Sequence, residues 1–195
     1  MSHEIEAKFK VDAFERVRRV LRREGAEYVA TVLQTDTYYD TGEGMLRGRD
    51  CGLRIRELRC LRRGESPVDT RPLLTAKGPV KPGAAPNRSA KVRREVQTHL
   101  DNPDAVRELF EAMGLQRSLT VQKRRATYRL GRCLIELDEL PVVGRYVEVE
   151  APGEEALDAM RRRLRLPGEP ITDHYVNLLT AAAGRANRRT FTLGA

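Results

Sequence analysis

The stretch HEIEAKFKV, residues 3–11, alternates between ionised and apolar side chains. In an extended chain Glu4, Glu6 and Lys8 fall on one side, and the apolar residues between them fall on the other. Alternation with a period of two is typical of a β-strand that has one buried face. The stretch therefore predicts a strand that presents two carboxylates and one ammonium on a single face.

Segments with similar alternation recur along the rest of the chain. They are TDTYYDT (35–41), GLRIREL (52–58), LLTAKG (73–78), KVRREVQTHL (91–100), TVQKRRATYRL (120–130), RCLIELDEL (132–140) and GRYVEVEAP (144–152). With a short strand near LRGRD (46–50), they predict about eight strands. The charges are sorted, because the first and last strands carry carboxylates while the middle strands carry arginine and lysine. A solvated outer face would mix polar residue types, so the sorting favours a functional surface.

Several other segments have apolar residues at helical spacing. They are VDAFERVRRVLRREGAE (11–27), NPDAVRELFEAMG (102–114), GEEALDAMRRRLRLPG (153–168) and TDHYVNLLTAAAG (172–184). Asp12 with Glu15 predicts a capping box for the first of these helices, and Asn102 predicts the cap of the second. The helices must cover the aliphatic faces of the strands, which leaves the ionised faces inside. The predicted fold is therefore α+β, an eight-stranded antiparallel β-barrel, or tunnel, with a charged interior and about four to six flanking α-helices.

Length and composition suit a compact protein with an anionic partner. The chain has 195 residues, a net charge of +8 and 33% charged residues. We expect one domain at residues 1–184, two long polar loops at 62–72 and 78–91, and a disordered tail at 185–195. No segment is apolar enough to span a membrane, and the three cysteines have irregular spacing. These features favour a cytoplasmic protein with free thiols.

Carboxylates and cations on one interior surface predict a site for metal and phosphate. Carboxylates brought close together repel one another unless a cation neutralises them. Oxygen ligands suit Mg²⁺ or Mn²⁺, and the lack of a His/Cys ligand pattern argues against zinc. Arginine and lysine together suit an anion of high charge density, such as a chain of phosphates. A divalent metal beside such cations is the arrangement that phosphoryl chemistry requires.

The chain resembles the CYTH superfamily, the triphosphate tunnel metalloenzymes, whose ExExK signature matches EIEAK at residues 4–8. The further matching motifs are TDTYYDT (35–41), LRIR (53–56), LTAKGP (74–79), RRE (93–95), KRRATY (123–128), IELDELPVVGRYVEVE (135–150) and DHYVNLL (173–179). They follow the family's order, and their layout is similar to the branch that includes class IV adenylyl cyclases. The resemblance implies a tunnel, open at both ends, that binds a triphosphate and Mg²⁺ or Mn²⁺.

The resemblance also implies roles for the ionised residues. The implied metal ligands or water-holding acids are Glu4, Glu6, Glu136, Asp138, Glu148 and Glu150. The implied phosphate-binding residues are Lys8, Arg54, Arg56, Lys77, Arg93, Lys123 and Arg125. A one-residue slip would exchange Arg93 with Arg94, and Glu95 would face inward and orient a neighbouring base. The candidate catalytic residues are Lys8, Lys77 and Glu148. We hypothesise that Lys77 or Lys8 is the base, because an ammonium among other cations loses its proton more readily.

Two reactions fit such a site. In hydrolysis, water attacks phosphorus and releases phosphate or diphosphate. In cyclisation, the 3′-hydroxyl of ATP attacks its α-phosphorus and expels diphosphate. Hydrolysis of inorganic or organic triphosphate, as in a tripolyphosphatase or thiamine triphosphatase, is favoured because no sequence feature demands adenine. The class IV adenylyl cyclase reaction is the alternative.

A non-catalytic binder of polyphosphate or nucleic acid is a third interpretation. Aromatic residues make up only 5% of the chain, and binders of single-stranded nucleic acid stack bases on aromatic side chains. Inward carboxylates would also repel a phosphate backbone in the absence of metal. The expected partner is therefore a small-molecule triphosphate, namely tripolyphosphate, thiamine triphosphate or ATP, bound by a monomer or a homodimer.

Overall fold

The computed structural model describes residues 5–61, 69–80, 93–171, 173–184 and 189–193. Its strands are β1 (Ile5–Val11), β2 (Glu27–Thr41), β3 (Gly52–Cys60), β4 (Leu73–Val80), β5 (Arg93–His99), β6 (Leu115–Leu130), β7 (Cys133–Leu140), β8 (Gly144–Ala151) and β9 (Thr190–Phe191). Its helices are α1 (Glu15–Arg23), α2 (Met45–Gly48), α3 (Pro103–Ala112), α4 (Glu154–Leu164) and α5 (Tyr175–Ala183). Of the two predicted polar loops, residues 62–68 and 81–91 lie outside the described residues. None of the helices in the described ranges is long and apolar enough to cross a membrane.

One sheet contains all of these strands. Its order is β1-β8-β7-β6-β2-β3-β4-β5, and each neighbouring pair along it is antiparallel. The short β9 adds to β6 in parallel. Over the described ranges no hydrogen-bonded ladder joins β1 to β5, yet side chains from β1 to β5 line one interior. The predicted α+β class and the tunnel-like antiparallel sheet with flanking helices are confirmed.

Helices cover the outer, aliphatic face of the sheet. Leu21 of α1 and Leu164 of α4 are fully buried against Ile135 and Val147 of β7 and β8. Phe110 of α3 packs over β2 and β3 in a second cluster. Full burial of one such side chain contributes about 1.5–3 kcal/mol, so these contacts determine which face of the sheet points outward. The ionised face is left to the interior, as the alternation predicted.

The prediction of a short strand near residues 46–50 is wrong, because Met45–Gly48 form the helix α2. The carboxylate of Asp40, on the preceding strand, accepts hydrogen bonds from the backbone N–H of Leu46 at 2.8 Å and of Arg47 at 3.0 Å. Gly44 has a φ of 75°, a left-handed conformation that glycine adopts without strain. A side-chain acceptor and a permissive glycine therefore turn the chain into one helical turn.

The predicted helix caps have different outcomes. Asn102 caps α3 as predicted, since its side-chain oxygen accepts from the backbone N–H of Ala105 at 3.1 Å. The prediction that Asp12 caps α1 is wrong, because α1 begins at Glu15, after Phe14, and no side chain forms a capping hydrogen bond with it. Phe14 is buried with α1 in the outer core, so apolar packing rather than a polar cap fixes where this helix begins.

Helix α5 packs on the interior side of the sheet, and β9 extends the sheet beside β6. Leu179 of α5 and Phe191 of β9 are fully buried against Leu119 and Val121 of β6. Thr190 and Phe191 lie in the tail 185–195 that was expected to be disordered, but they form β9. One part of the interior surface is therefore covered by apolar residues, and the ionised residues occupy the remainder.

Candidate active site

The interior of the sheet is a cavity of about 1010 Å³. The predicted site residues that line it are Glu6, Lys8, Arg54, Arg56, Lys77, Lys123, Arg125, Glu136, Glu148 and Glu150. Strand register makes several of them neighbours: Lys8 of β1 pairs with Glu148 of β8, which pairs on its other side with Glu136 of β7. Glu4 and the side chain of Arg93 lie outside the described residues, and Arg94 is exposed.

Arg125 is the centre of the acidic part of the site. Its guanidinium forms ion pairs with Glu136, Asp138 and Glu148, and its Nε lies 2.6 Å from Asp138 Oδ1. Burial alone would raise the pKa of all three carboxyls, but Arg125 and Lys123 hold the pKa of Asp138 and of Glu148 below the ordinary range. Burial keeps the pKa of Glu136 raised. Burial, together with the charges of Asp138 and Glu148, therefore makes Glu136 the carboxyl of this cluster that takes up a proton most readily.

Two buried lysines lie beside this cluster and under one tyrosine ring. Lys8 Nζ is 3.5 Å from Glu148 and donates to the backbone carbonyl of Asp173 at 2.9 Å. Lys123 Nζ is 2.8 Å from the carboxylate of Asp138. The ring centroid of Tyr175 lies 4.2 Å from the first ammonium and 4.9 Å from the second, within cation–π range. Burial, followed by the charge of Arg125, lowers the pKa of Lys123.

A second buried carboxylate, Asp36 of β2, lies in the cationic part of the site. Arg56 binds it in a bidentate manner, with Nε 2.7 Å from Oδ1 and Nη2 3.0 Å from Oδ2. Arg54 Nη1 lies 3.4 Å from Oδ2, and Gln34 Nε2 donates to the same oxygen at 2.9 Å. Burial would raise the pKa of Asp36, but the two guanidinium groups outweigh it and hold that pKa well below the ordinary value of 3.8. Asp36 was not among the predicted site residues.

Acid unfolding provides a test of this buried ion pair. The depressed pKa means that Asp36 contributes stability above its unfolded-state pKa and loses it as the pH falls toward its folded-state pKa. We therefore expect the difference in unfolding free energy between the wild type and Asp36→Asn to be largest above about pH 5 and to shrink below pH 4. Urea unfolding of both proteins across this range measures that difference. A difference that does not change with pH would contradict the assignment.

Strands β3, β4 and β5 complete the cationic part of the site. Lys77 Nζ lies 2.8 Å from Glu95 on the neighbouring strand, so Glu95 faces inward beside a basic residue, as predicted. Arg54 pairs across the strands with Thr75. Among the described residues, the Nε of Arg54 and the Oγ1 of Thr75 are buried and have no hydrogen-bond partner. Both groups can donate a hydrogen bond, so an oxyanion placed here would satisfy two buried donors.

The carboxylates that line the cavity fit a divalent cation that prefers oxygen ligands. Glu6 is directly opposite Glu150, and Glu136 is directly opposite Glu148. Like charges directly opposite one another in a sheet are destabilising, and Mg²⁺ or Mn²⁺ would relieve that repulsion. Within the described ranges no group of three or more His, Cys, Asp or Glu residues is already arranged around a single point. Asp138 is fully buried beneath Lys123 and Arg125 and does not line the cavity.

Comparison with known proteins assigns the chain to a family. A sequence model of the CYTH domain matches residues 2–167. The chain belongs to the CYTH domain family. Over 147 residues, or 75% of each chain, this CYTH domain is 24% identical to a protein of Methanocaldococcus jannaschii named "Putative adenylate cyclase".

Solved structures share the fold of this CYTH domain. A Pyrococcus horikoshii protein superposes with a TM-score of 0.74 at 24% identity, covering 91% of this chain and 98% of that one. A "putative adenylate cyclase" from Vibrio parahaemolyticus gives 0.70 at 21% identity, covering 90% and 97%. A "Putative adenylyl cyclase" from Hippeastrum, described as having a dominant triphosphatase activity, gives 0.68 at 18% identity, covering 96% and 100%.

Proposed function

We propose that this CYTH domain is a divalent-metal-dependent hydrolase of a small-molecule triphosphate. The observation that carries the proposal is the set of cations that line one cavity beside a group of carboxylates. These cations are Lys8, Arg54, Arg56, Lys77, Lys123 and Arg125. Several densely packed cations in a cavity suit a polyanion with a compact charge. Within the part of the chain that the structure describes, the buried donors of Arg54 and Thr75 have no acceptor.

The carboxylates on β1, β7 and β8 supply the place for the metal. Glu6, Glu136, Glu148 and Glu150 would hold Mg²⁺ or Mn²⁺, and Glu4 would join them by its position in the ExExK signature. When bound, the metal withdraws charge from the phosphate oxygens and so makes phosphorus more electrophilic. The cations then hold the phosphate chain while the charge on the departing phosphate develops.

Hydrolysis also needs a group that accepts a proton. Water attacks a phosphorus atom, the bridging P–O bond breaks, and the proton lost by water passes to a carboxylate of the cavity. We assign this step to Glu148, whose carboxylate lines the cavity between Lys8 and Arg125. The assignment of Lys8 or Lys77 as the base stays a prediction.

Turnover of three substrates tests the proposal. We expect phosphate or diphosphate release from tripolyphosphate, thiamine triphosphate or ATP in the presence of Mg²⁺ or Mn²⁺, and none in EDTA, because the phosphate charge then lacks its counter-ion. Phosphate release and cyclic AMP are measured in the same reactions. Cyclic AMP with diphosphate as the main product from ATP would favour the cyclase reaction, the alternative that the name of the Methanocaldococcus jannaschii relative supports. Metal-dependent turnover of none of the three would contradict both reactions.

A further inference from the structure

Two buried aspartates, Asp36 and Asp138, hold four of the cavity cations in place. Asp36 binds Arg54 and Arg56, and Asp138 binds Lys123 and Arg125. We propose that both aspartates are positioning residues, which orient these cations toward the phosphate chain, and that neither is a ligand of the metal. The proposal rests on the proposed function, because the phosphate chain is what the four cations would bind.

The contacts of Asp36 are with cations and an amide rather than with a site open to a metal ion. Its Oδ1 accepts from Arg56, and its Oδ2 accepts from Arg56, Arg54 and Gln34. The residue is only 6% exposed. A metal cation at Asp36 would lie against the guanidinium groups of Arg54 and Arg56, which repel it, so we infer that the carboxylate acts on these guanidinium groups instead.

Asp138 has the same arrangement on the other side of the cavity. Its Oδ1 accepts from Arg125 Nε at 2.6 Å, and its Oδ2 accepts from Lys123 Nζ at 2.8 Å and from Arg125 Nη2 at 2.5 Å. Its exposure is 0%, and its carboxylate lies behind the cations rather than at the cavity surface. The resemblance implied a metal-binding role for Asp138, and these contacts favour an orienting role instead.

These pairings leave donors available for a phosphate. Arginine carries five N–H donors in a planar fork. Arg56 uses its Nε and one Nη2 hydrogen on Asp36, which leaves three donors on the remaining sides of the guanidinium. Arg54 gives one Nη1 hydrogen to Asp36, while its Nε has no hydrogen-bond partner among the residues that the structure describes. Asp36 therefore fixes the plane of each guanidinium group while it binds only some of the N–H donors.

Orientation and charge predict opposite effects of removing Asp36. Neutralising a carboxylate beside an anion site removes repulsion, so charge alone predicts tighter phosphate binding. Loss of orientation predicts weaker binding, because the guanidinium forks must then be ordered when the anion binds. The sign of the change in affinity distinguishes the two explanations.

Calorimetric titration with tripolyphosphate in EDTA measures this sign, because no metal then contributes to binding. We expect Asp36→Asn to raise the dissociation constant by roughly ten-fold, as for the loss of one charge-assisted hydrogen bond. Asp36→Glu, which retains the charge but displaces the carboxylate, should also weaken binding. The matched control is Asp40→Asn on the same strand, whose carboxylate also lines the cavity but binds backbone N–H groups at α2. It removes the same charge and should lower stability, but it should not weaken tripolyphosphate binding.

A double-mutant cycle tests whether the effect passes through the arginine. In an Arg56→Met background, Asp36→Asn should weaken tripolyphosphate binding much less than it does in the wild type, because the group that Asp36 orients is gone. Equal or tighter binding by Asp36→Asn would overturn the positioning role while leaving the proposed function intact. A wild-type protein that binds no tripolyphosphate either in EDTA or with Mn²⁺ would instead contradict the proposed function.

Metal affinity tests the same role for Asp138. Asp138→Asn should weaken tripolyphosphate binding in EDTA, and its affinity for Mn²⁺, followed by electron paramagnetic resonance, should stay within about two-fold of the wild type. Glu136→Gln serves as the comparison, because its carboxylate lines the cavity and its loss should weaken Mn²⁺ binding. A loss of Mn²⁺ affinity in Asp138→Asn as large as that in Glu136→Gln would make Asp138 a ligand and overturn the proposal.

Discussion

Replacement of Arg125 by methionine is expected to lower triphosphate hydrolysis by about a thousand-fold, the upper range for the loss of one group that stabilises transition-state charge. Arg125 is the cation that three carboxylates share. Its removal takes a donor from the phosphate chain and leaves Glu136, Asp138 and Glu148 to repel one another. Steady-state rates with tripolyphosphate and Mn²⁺ measure the loss.

The same change should also destabilise the protein. Breaking a buried ion pair by removing one partner costs about 3–5 kcal/mol, because the charge that remains is uncompensated. The matched control is Arg124→Met, one residue away on the outer face, where the side chain is 56% exposed and pairs with Glu139. We expect that control to retain near-normal activity and to lose no more than about 1 kcal/mol.

If Arg125→Met does not fold, Arg125→Lys keeps the positive charge and tests geometry alone. It should fold and still lose activity, since one ammonium cannot bind several carboxylates and a phosphate with planar, bidentate geometry. Wild-type turnover by a folded Arg125→Lys or Arg125→Met protein would contradict the central role given to this residue.

Replacement of Glu148 by glutamine is expected to lower hydrolysis by about a hundred-fold or more, within the range for a residue that transfers a proton. Glu148 lies between Lys8 and Arg125 and directly opposite Glu136. The glutamine keeps the shape of the side chain but cannot accept the proton, and it is a weaker ligand for the metal. The control is Glu139→Gln, whose carboxylate pairs with Arg124 and Arg145 outside the cavity.

Binding in EDTA distinguishes this loss from damage to the phosphate site. Because Glu148→Gln removes a negative charge from the cavity, tripolyphosphate should bind as tightly as to the wild type or more tightly, while Mn²⁺ affinity falls. Asp36→Asn should give the opposite result for tripolyphosphate. Weak tripolyphosphate binding by Glu148→Gln in EDTA would show that Glu148 supports the cations, and would contradict its role as a metal ligand and proton acceptor.

Strand alternation was sufficient to predict the face on which most of the site residues lie. Successive side chains of a strand point in opposite directions, so every second residue shares a face. This alternation placed on one surface Glu6 and Lys8 of β1, Arg54 and Arg56 of β3, and the acids of β7 and β8. Asp138 shares this parity but lies beneath the cations. Parity specifies a face, whereas depth on that face depends on which larger side chains lie above.

Other parts of the site had no comparable signal. Asp36 stands in a segment of mixed polar residues, and only its contacts with Arg54 and Arg56 show its importance. Tyr175 lies on a helix whose apolar spacing was apparent, but the sequence does not say that its ring reaches two lysines on distant strands. The alternation of Asp40 suggested only a strand residue, while its carboxylate organises α2. The roles of Asp36 and Tyr175 depend on partners that are distant in the chain, whereas Asp40 binds residues six and seven positions later.

The sequence by itself determined the class of the fold, the sorting of acids and bases between strands, and the face that each charged side chain occupies. These properties are local, because they follow from the two-residue period of a strand and the burial of its aliphatic side. The tertiary structure decided which charges pair and that two buried aspartates bind four of the cavity cations. It also decided that apolar residues of α5 and β9 cover part of the interior surface. Those outcomes depend on strand order and register, which juxtapose residues more than a hundred positions apart, such as Lys8 and Glu148.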